Sequence, residues 1–194
     1  MEHLWLGLSW IVYFFLHSFF TLLSVKDYFY SVGIKPQLYR LIYVIFASIS
    51  LIAILLFSSV IESGYILEPT KFLTFGGLLL AALGVVIAKT GFKSYDTKAF
   101  IGLGSLKAED ELSTSGLLKK VRHPLYSGSI LLILGYFLFN PKLSVLISSS
   151  LMILYFIVGI HLEEKKLIKT FGTKYIEYKK KTPMLIPRFW KNRK

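Results

Sequence analysis

Apolar residues come in five long blocks, and nearly all the charges fall between them. The blocks run over residues 4–25, 41–61, 72–93, 124–139 and 143–162. Most reach the roughly 17–25 apolar residues that cross a bilayer as a helix. The pattern therefore predicts an all-α fold: five transmembrane helices in a single integral-membrane domain, residues 1–194. Only Glu2 and His3 stand as polar groups before the first block, so it reads as a retained span, not a cleaved leader. The third block is apolar to Ala88 and can continue as helix past Lys89, and Gly76, Gly77 and Gly84 in it permit close helix contact. His17 and Ser18 lie inside the first block. A polar group at that depth usually faces the bundle interior, so His17 is a candidate pocket residue or an inert, hydrogen-bonded one.

The connecting segments carry the orientation. Lys26–Arg40, the long Lys93–Arg122 segment and the tail from Glu163 are rich in Lys and Arg; Glu62–Lys71 and the turn Asn140-Pro141-Lys142 are not. The positive-inside rule then puts the N-terminus outside and the C-terminus in the cytosol, as in a bacterial inner membrane.

Composition agrees. Hydrophobic residues make up 54% of the 194 and the mean hydropathy is +0.59, more apolar than a soluble domain of this length carries. The formal net charge of +12 is read as cytoplasmic flank and attraction to anionic lipid, in preference to nucleic-acid binding. Cysteine is absent, which excludes disulfides, thiol nucleophiles and thiolate metal sites. No other cluster suggests a metal.

Two polar clusters carry candidate chemistry. Arg122-His123-Pro124-Leu125-Tyr126-Ser127-Gly128 opens the fourth block, and His161-Leu162-Glu163-Glu164 closes the fifth. If both blocks cross the membrane, the hairpin returns the second cluster to the face where the first begins. Pro124 suits the first position of a helix, with His123 as cap. A helix N-terminus beside Arg122 attracts a carboxylate or phosphate. His123 and Tyr126 share a helix face, and Gly128 leaves room for a flat ligand. One carboxylate of Glu163 and Glu164 is expected to hold an amine, a ribose or a cation. Each cluster also has a plain reading: an interfacial anchor for the first and a solvated helix end for the second. Leu167, Ile168, Phe171, Tyr175 and Tyr178 then recur at helical spacing and predict an amphipathic, cytosolic C-terminal helix. Thr182–Pro187 cannot continue it, because proline recurs; this stretch is expected to be an extended lid or an anchor. Gly102 and Gly104 in Phe100–Gly104 form a lone GxG, most simply loop glycines.

These residues resemble a known superfamily. Gly116-Leu117-Leu118 with Val121–Gly128 is similar to the G-[LI]-Y-x-x-x-R-H-P-x-Y-x-G block of the integral-membrane methyltransferases, and Glu163–Tyr178 resembles their E-E-x-x-L-x-x-x-F-G-x-x-Y-x-x-Y block. That superfamily includes isoprenylcysteine carboxyl methyltransferase, phospholipid N-methyltransferases and methanethiol S-methyltransferase. Pro183–Arg188 looks like the short bacterial members, and His17-Ser18 with Val25-Lys26 resembles the nurim and NnrU-type relatives. The resemblance covers residues 100–188. It implies S-adenosylmethionine as cofactor, held by Arg122, His123, Tyr126, Gly128, Glu163 and Glu164, with Gly102 and Gly104 as weaker matches. It implies methyl transfer to a lipophilic or small thiol, amine or carboxylate acceptor. His17, Tyr175, Tyr178, Lys181 and Arg188 are candidates for meeting that acceptor; catalytic residues are not assigned. Leu118 stands where many relatives have Tyr, and Lys181 where the isoprenylcysteine enzymes have Arg. Two alternatives stay open: an NADPH-dependent reductase of the sterol-reductase type and a non-catalytic, nurim-like membrane protein.

Overall fold

The computed structural model describes residues 1–93, 103 and 112–188. Within these residues the chain is helical: α1 (Glu2–Phe19), α2 (Leu23–Ser31), α3 (Pro36–Val60), α4 (Lys71–Phe92), α5 (Pro124–Phe139), α6 (Leu143–Phe171) and α7 (Thr173–Lys181), with a 3-10 turn at Gly116–Lys119. Proline opens α3 and α5, where its missing N–H costs nothing. Thr70 caps α4 by accepting the Leu73 N–H at 3.2 Å.

α3, α4 and α6 are each long and apolar enough to cross a membrane. α1 and α2 pass that test as a bent pair, 61° apart, which gives up to four candidate spans. α5 is apolar but has only 16 residues, about 24 Å of helix against a hydrocarbon layer of roughly 30 Å. Large apolar side chains such as Ile49, Val60 and Leu79 are left exposed along these helices. In water that surface would drive aggregation; in lipid it costs nothing. The chain is an integral membrane protein.

Two expectations need correction. The first block is not one helix over residues 4–25. It breaks after Phe19, because the Thr21 and Leu22 N–H groups tighten the last turn onto the Ser18 and Phe19 carbonyls and the Thr21 hydroxyl donates to Ser18 O at 2.6 Å. Leu22 is then extended and caps α2. Nor does one amphipathic helix follow residue 162. α6 itself runs on to Phe171, and Gly172 at φ +57° turns the chain into the separate α7.

The chain divides into two compact units. The first holds residues 1–68 and 141–152. Its core is Leu6, Trp10 and Ile61, with Phe14, Phe57 and Leu151 packed around it. Serines supply polar contacts: Trp10 Nε1 donates to Ser148 Oγ at 2.9 Å, and Ser58 Oγ lies 3.3 Å from the same atom. The first turn of α6 is satisfied within this unit, where Leu143 N donates to Gly64 O and Ser144 N to Ser63 Oγ.

The second unit holds the described residues of 69–94, 108–140 and 153–194. Its central contact is antiparallel, α4 against α5. Gly77, Gly84 and Gly91 recur every seventh residue on α4, and Gly128 and Gly135 do so on α5. Seven residues are close to two helical turns, so each set lines one face. A Cβ on Gly84 would sit 2.5 Å from Leu132 N, and one on Gly77 2.6 Å from Gly135 O. Backbone therefore lies directly on backbone. Gly76 faces open space, so of the three glycines read as packing residues only Gly77 and Gly84 take that role.

Candidate active site

The apolar, membrane-crossing part of α6 ends at Leu162; beyond it come Glu163, Glu164, Lys165 and Lys166. The second unit brings this end against the start of α5. Arg122 Nε donates to Glu164 Oε1 at 2.7 Å, and Nη2 lies 2.6 Å from the same oxygen. His123 Nε2 is 3.2 Å from it. Lys179 Nζ, from α7, sits 2.6 Å from the other oxygen, Oε2. One buried carboxylate thus gathers three basic side chains. Burial raises the Glu164 pKa, but hydrogen bonds from Lys179, Arg122 and His123, and the charge of Arg122, outweigh it and hold the group at about 2. An ionised carboxylate only accepts, so the His123 proton facing it is on Nε2.

The two carboxylates have different roles. Glu164 is 3% exposed and wholly engaged. Glu163 is about one third exposed, with Oε2 4.0 Å from His123 Nδ1, and keeps a face open to a ligand. On the exposed side of α6, His161 Nδ1–H donates to Ile157 O at 2.6 Å.

The chain after α7 closes over the mouth of α5. Arg122 N donates to Pro183 O at 2.9 Å, and His123 N to Met184 O at 3.1 Å. Ser127 Oγ donates to Leu185 O at 2.8 Å, and Arg122 Nη1 reaches Lys179 O and Thr182 O. Thr182–Leu185 therefore lies along the helix mouth. The Arg122 and His123 N–H groups, just ahead of the first helical residue Pro124, are spent on it. His123 takes the cap position by backbone alone, its ring having turned to Glu164.

The other predicted residues fall as follows. Tyr126 packs its ring edge-on to His123 at 5.8 Å and to Phe156 at 5.5 Å. Gly128 leaves no space for a flat ligand: a Cβ there would meet Ala88 N, and Gly84 O at 2.6 Å, so α4 fills the gap. Tyr175 is buried; burial first and the Glu164 charge second push its hydroxyl well above the ordinary value. Burial pushes Tyr178 up to about 12 against the pull of Arg122, and its hydroxyl donates to Leu118 O at 2.6 Å. Both tyrosines pack the cluster from α7. Lys181 and Arg188 are exposed. His17 belongs to the first unit, where Tyr43 Oη lies 3.0 Å from its Nε2. Gly102 and Gly104 lie outside the described residues. Lys179 and Ser127 were not singled out from sequence. Ser127 stands inside the quoted block; Lys179 is one of three consecutive lysines and carries no local mark.

Comparison with known proteins places this arrangement. Residues 72–174 match the family model described as phospholipid methyltransferase. The chain is 39% identical over 79 residues to the methanethiol S-methyltransferase of Crocosphaera subtropica, covering 40% of this chain and 29% of that protein. It is 33% identical over 120 residues to the methanethiol S-methyltransferase of Pseudomonas deceptionensis, covering 60% and 43%. It is 30% identical over 115 residues to protein-S-isoprenylcysteine O-methyltransferase B of Arabidopsis thaliana, covering 57% of each. The chain thus spans less than two thirds of each of these relatives. No solved structure matches. The family match covers more than half of the chain and reaches from the glycine seam through both clusters, so the chain belongs to the phospholipid methyltransferase family.

Proposed function

We propose that this protein transfers a methyl group from S-adenosylmethionine, at the cytosolic face of a bacterial inner membrane, to a lipophilic or small thiol, amine or carboxylate acceptor. The observation that carries the reading is the meeting of Arg122 and His123 with Glu163 and Glu164, inside the part of the chain that matches the family. Methyltransferase names among the relatives support the reaction class. The membrane arrangement is five spans, with the bent α1–α2 pair and the short α5 counted as one each, and α7 on the cytosolic surface.

The donor set fits the cofactor. When bound, S-adenosylmethionine supplies an electrophilic methyl on a positively charged sulfur. Glu163 gives a carboxylate with an open face for a cationic or hydroxyl group. Tyr126 gives an aromatic ring edge-on to His123, and such rings attract cations. Glu164 is not free for a ligand; it fixes Arg122 and His123 so that Glu163 faces a rigid wall. The Thr182–Leu185 segment keeps water from the mouth of α5. Methyl transfer from sulfur is an in-line displacement, and positioning alone lowers such barriers by several kcal/mol. Gly102 and Gly104 complete the proposed cofactor contacts. Lys181 and Arg188, exposed beside the closing segment, are proposed to meet an acceptor's charge.

The test is calorimetric titration of the detergent-purified protein with S-adenosylmethionine and, separately, NADPH. S-adenosylmethionine is expected to bind, and Glu163→Gln to weaken it about tenfold at unchanged melting temperature, the loss of one charge-assisted contact. Unchanged binding in Glu163→Gln, or binding of NADPH alone, overturns the reading.

A further inference from the structure

The first unit holds a cavity of about 340 Å³ that the methyl-transfer reading does not use. That size lies at the lower end of the roughly 300–1,000 Å³ of small-ligand pockets. It exists because the first block breaks. Phe20 and Thr21, just past the end of α1, form one wall, and Lys26 and Tyr30 of α2 form the next. Arg40 and Tyr43, in the first two turns of α3, form the third. An unbroken helix over residues 4–25 would carry Lys26 and Tyr30 straight on and leave no such recess.

Its depth in the membrane is fixed by the sequence. No charge occurs between Leu41 and Ile61, so Arg40 marks where α3 enters the apolar layer. The recess therefore lies at headgroup level. Among the described residues, two cations, Lys26 and Arg40, line it against one acid, Asp27. Both cations are half-buried, which keeps their charge concentrated on the recess. The Tyr30 ring, with its hydroxyl donor, lines the same space. Exposed apolar side chains, Phe19, Leu22 and Leu23, stand beside the break. A ligand with an anionic head and long apolar tails meets both surfaces at once.

We infer that this cavity binds the phosphate of an anionic membrane phospholipid, held by Lys26 and Arg40 beneath the α1–α2 bend. The inference does not rest on the methyltransferase reading. Arginine takes phosphate oxygens through paired N–H donors, and basic recesses between membrane helices are suited to such headgroups. Free phosphate shares the head chemistry but lacks the tails.

The test uses the full chain, delipidated in detergent and observed by native mass spectrometry. Dioleoyl phosphatidylglycerol, dioleoyl phosphatidylcholine and inorganic phosphate are titrated separately. Phosphatidylglycerol is expected to give the tightest adduct, and Lys26→Gln/Arg40→Gln to weaken that adduct at least about tenfold, the loss of charge-assisted contacts. Weaker adducts on the basic tail persist. Asp27→Asn, which removes the acid and leaves both cations, is expected to tighten the same adduct, so the inference stays testable if the double variant does not fold. An unchanged tightest adduct in the double variant, equal retention of phosphatidylcholine, or inorganic phosphate competing at millimolar concentration would each overturn it.

Discussion

Along the α4–α5 seam, Gly84 and Gly128 set backbone against backbone; a turn away, at the mouth of α5, Arg122, His123 and Lys179 converge on one carboxylate. The two contacts belong to the same unit and share α5. They differ in what surrounds them. Within lipid the hydrophobic effect gives helices no reason to associate, and an ion pair there costs several kcal/mol to desolvate. Close van der Waals contact is what remains, so the seam is built by removing side chains. Past Leu162 water is near, and charge becomes usable. The seam then specifies geometry by exclusion, since any added carbon collides. The cluster specifies it by attraction, since any removed group leaves a buried charge behind.

That difference can be broken from either side. The largest effect is expected for Glu164→Ala. It leaves Arg122 buried without its partner and should cost about 3–5 kcal/mol in denaturant or thermal unfolding in detergent. Trypsin should then cut at the lysines of α7, because Thr182–Leu185 loses its hold. Acid comes next. Glu164 titrates near 2 in the folded protein against an ordinary 4.5, so its contribution is complete above about pH 4.5 and is lost as pH falls towards 2. The loss should amount to about 3 kcal/mol and be absent in Glu164→Gln. Gly84→Ala should cost less, about 1–3 kcal/mol, as α4 and α5 are forced apart. Its penalty should be the same at pH 7 and pH 3. A penalty that varied with pH would mean the seam is not independent of the charges.

Much of this was legible in the chain. The hairpin argument brought Arg122 to Glu164 because an antiparallel pair of apolar blocks has to return. It did not separate Glu163 from Glu164. Neighbours on a helix point about 100° apart, so only the rotation of α6 decides which is buried. Lys179 reaches Glu164 only because Gly172 turns the chain back, and a single glycine does not state its φ. The seam was half visible: Gly77 and Gly84 suggested close contact, but the spacing of seven that continues into Gly91 and reappears at Gly128 and Gly135 gains its meaning only once α4 and α5 are paired. The bend at Leu22 was hidden, because the Thr21 hydroxyl breaks an apolar run by a bond to the Ser18 carbonyl that hydropathy does not register.

The carbonyls of Thr182 to Leu185 also set a timetable. They are made after everything they bind. As the ribosome releases the chain, Arg122 waits through α5 and most of α6 before Glu164 exists, and both wait again for Lys179 and the closing segment. Membrane insertion of α5 and α6 therefore precedes completion of the site. A nascent chain halted before Lys179 has both apolar helices but leaves Glu164 without one of its cations and the Arg122 and His123 N–H groups without the carbonyls of Pro183 and Met184.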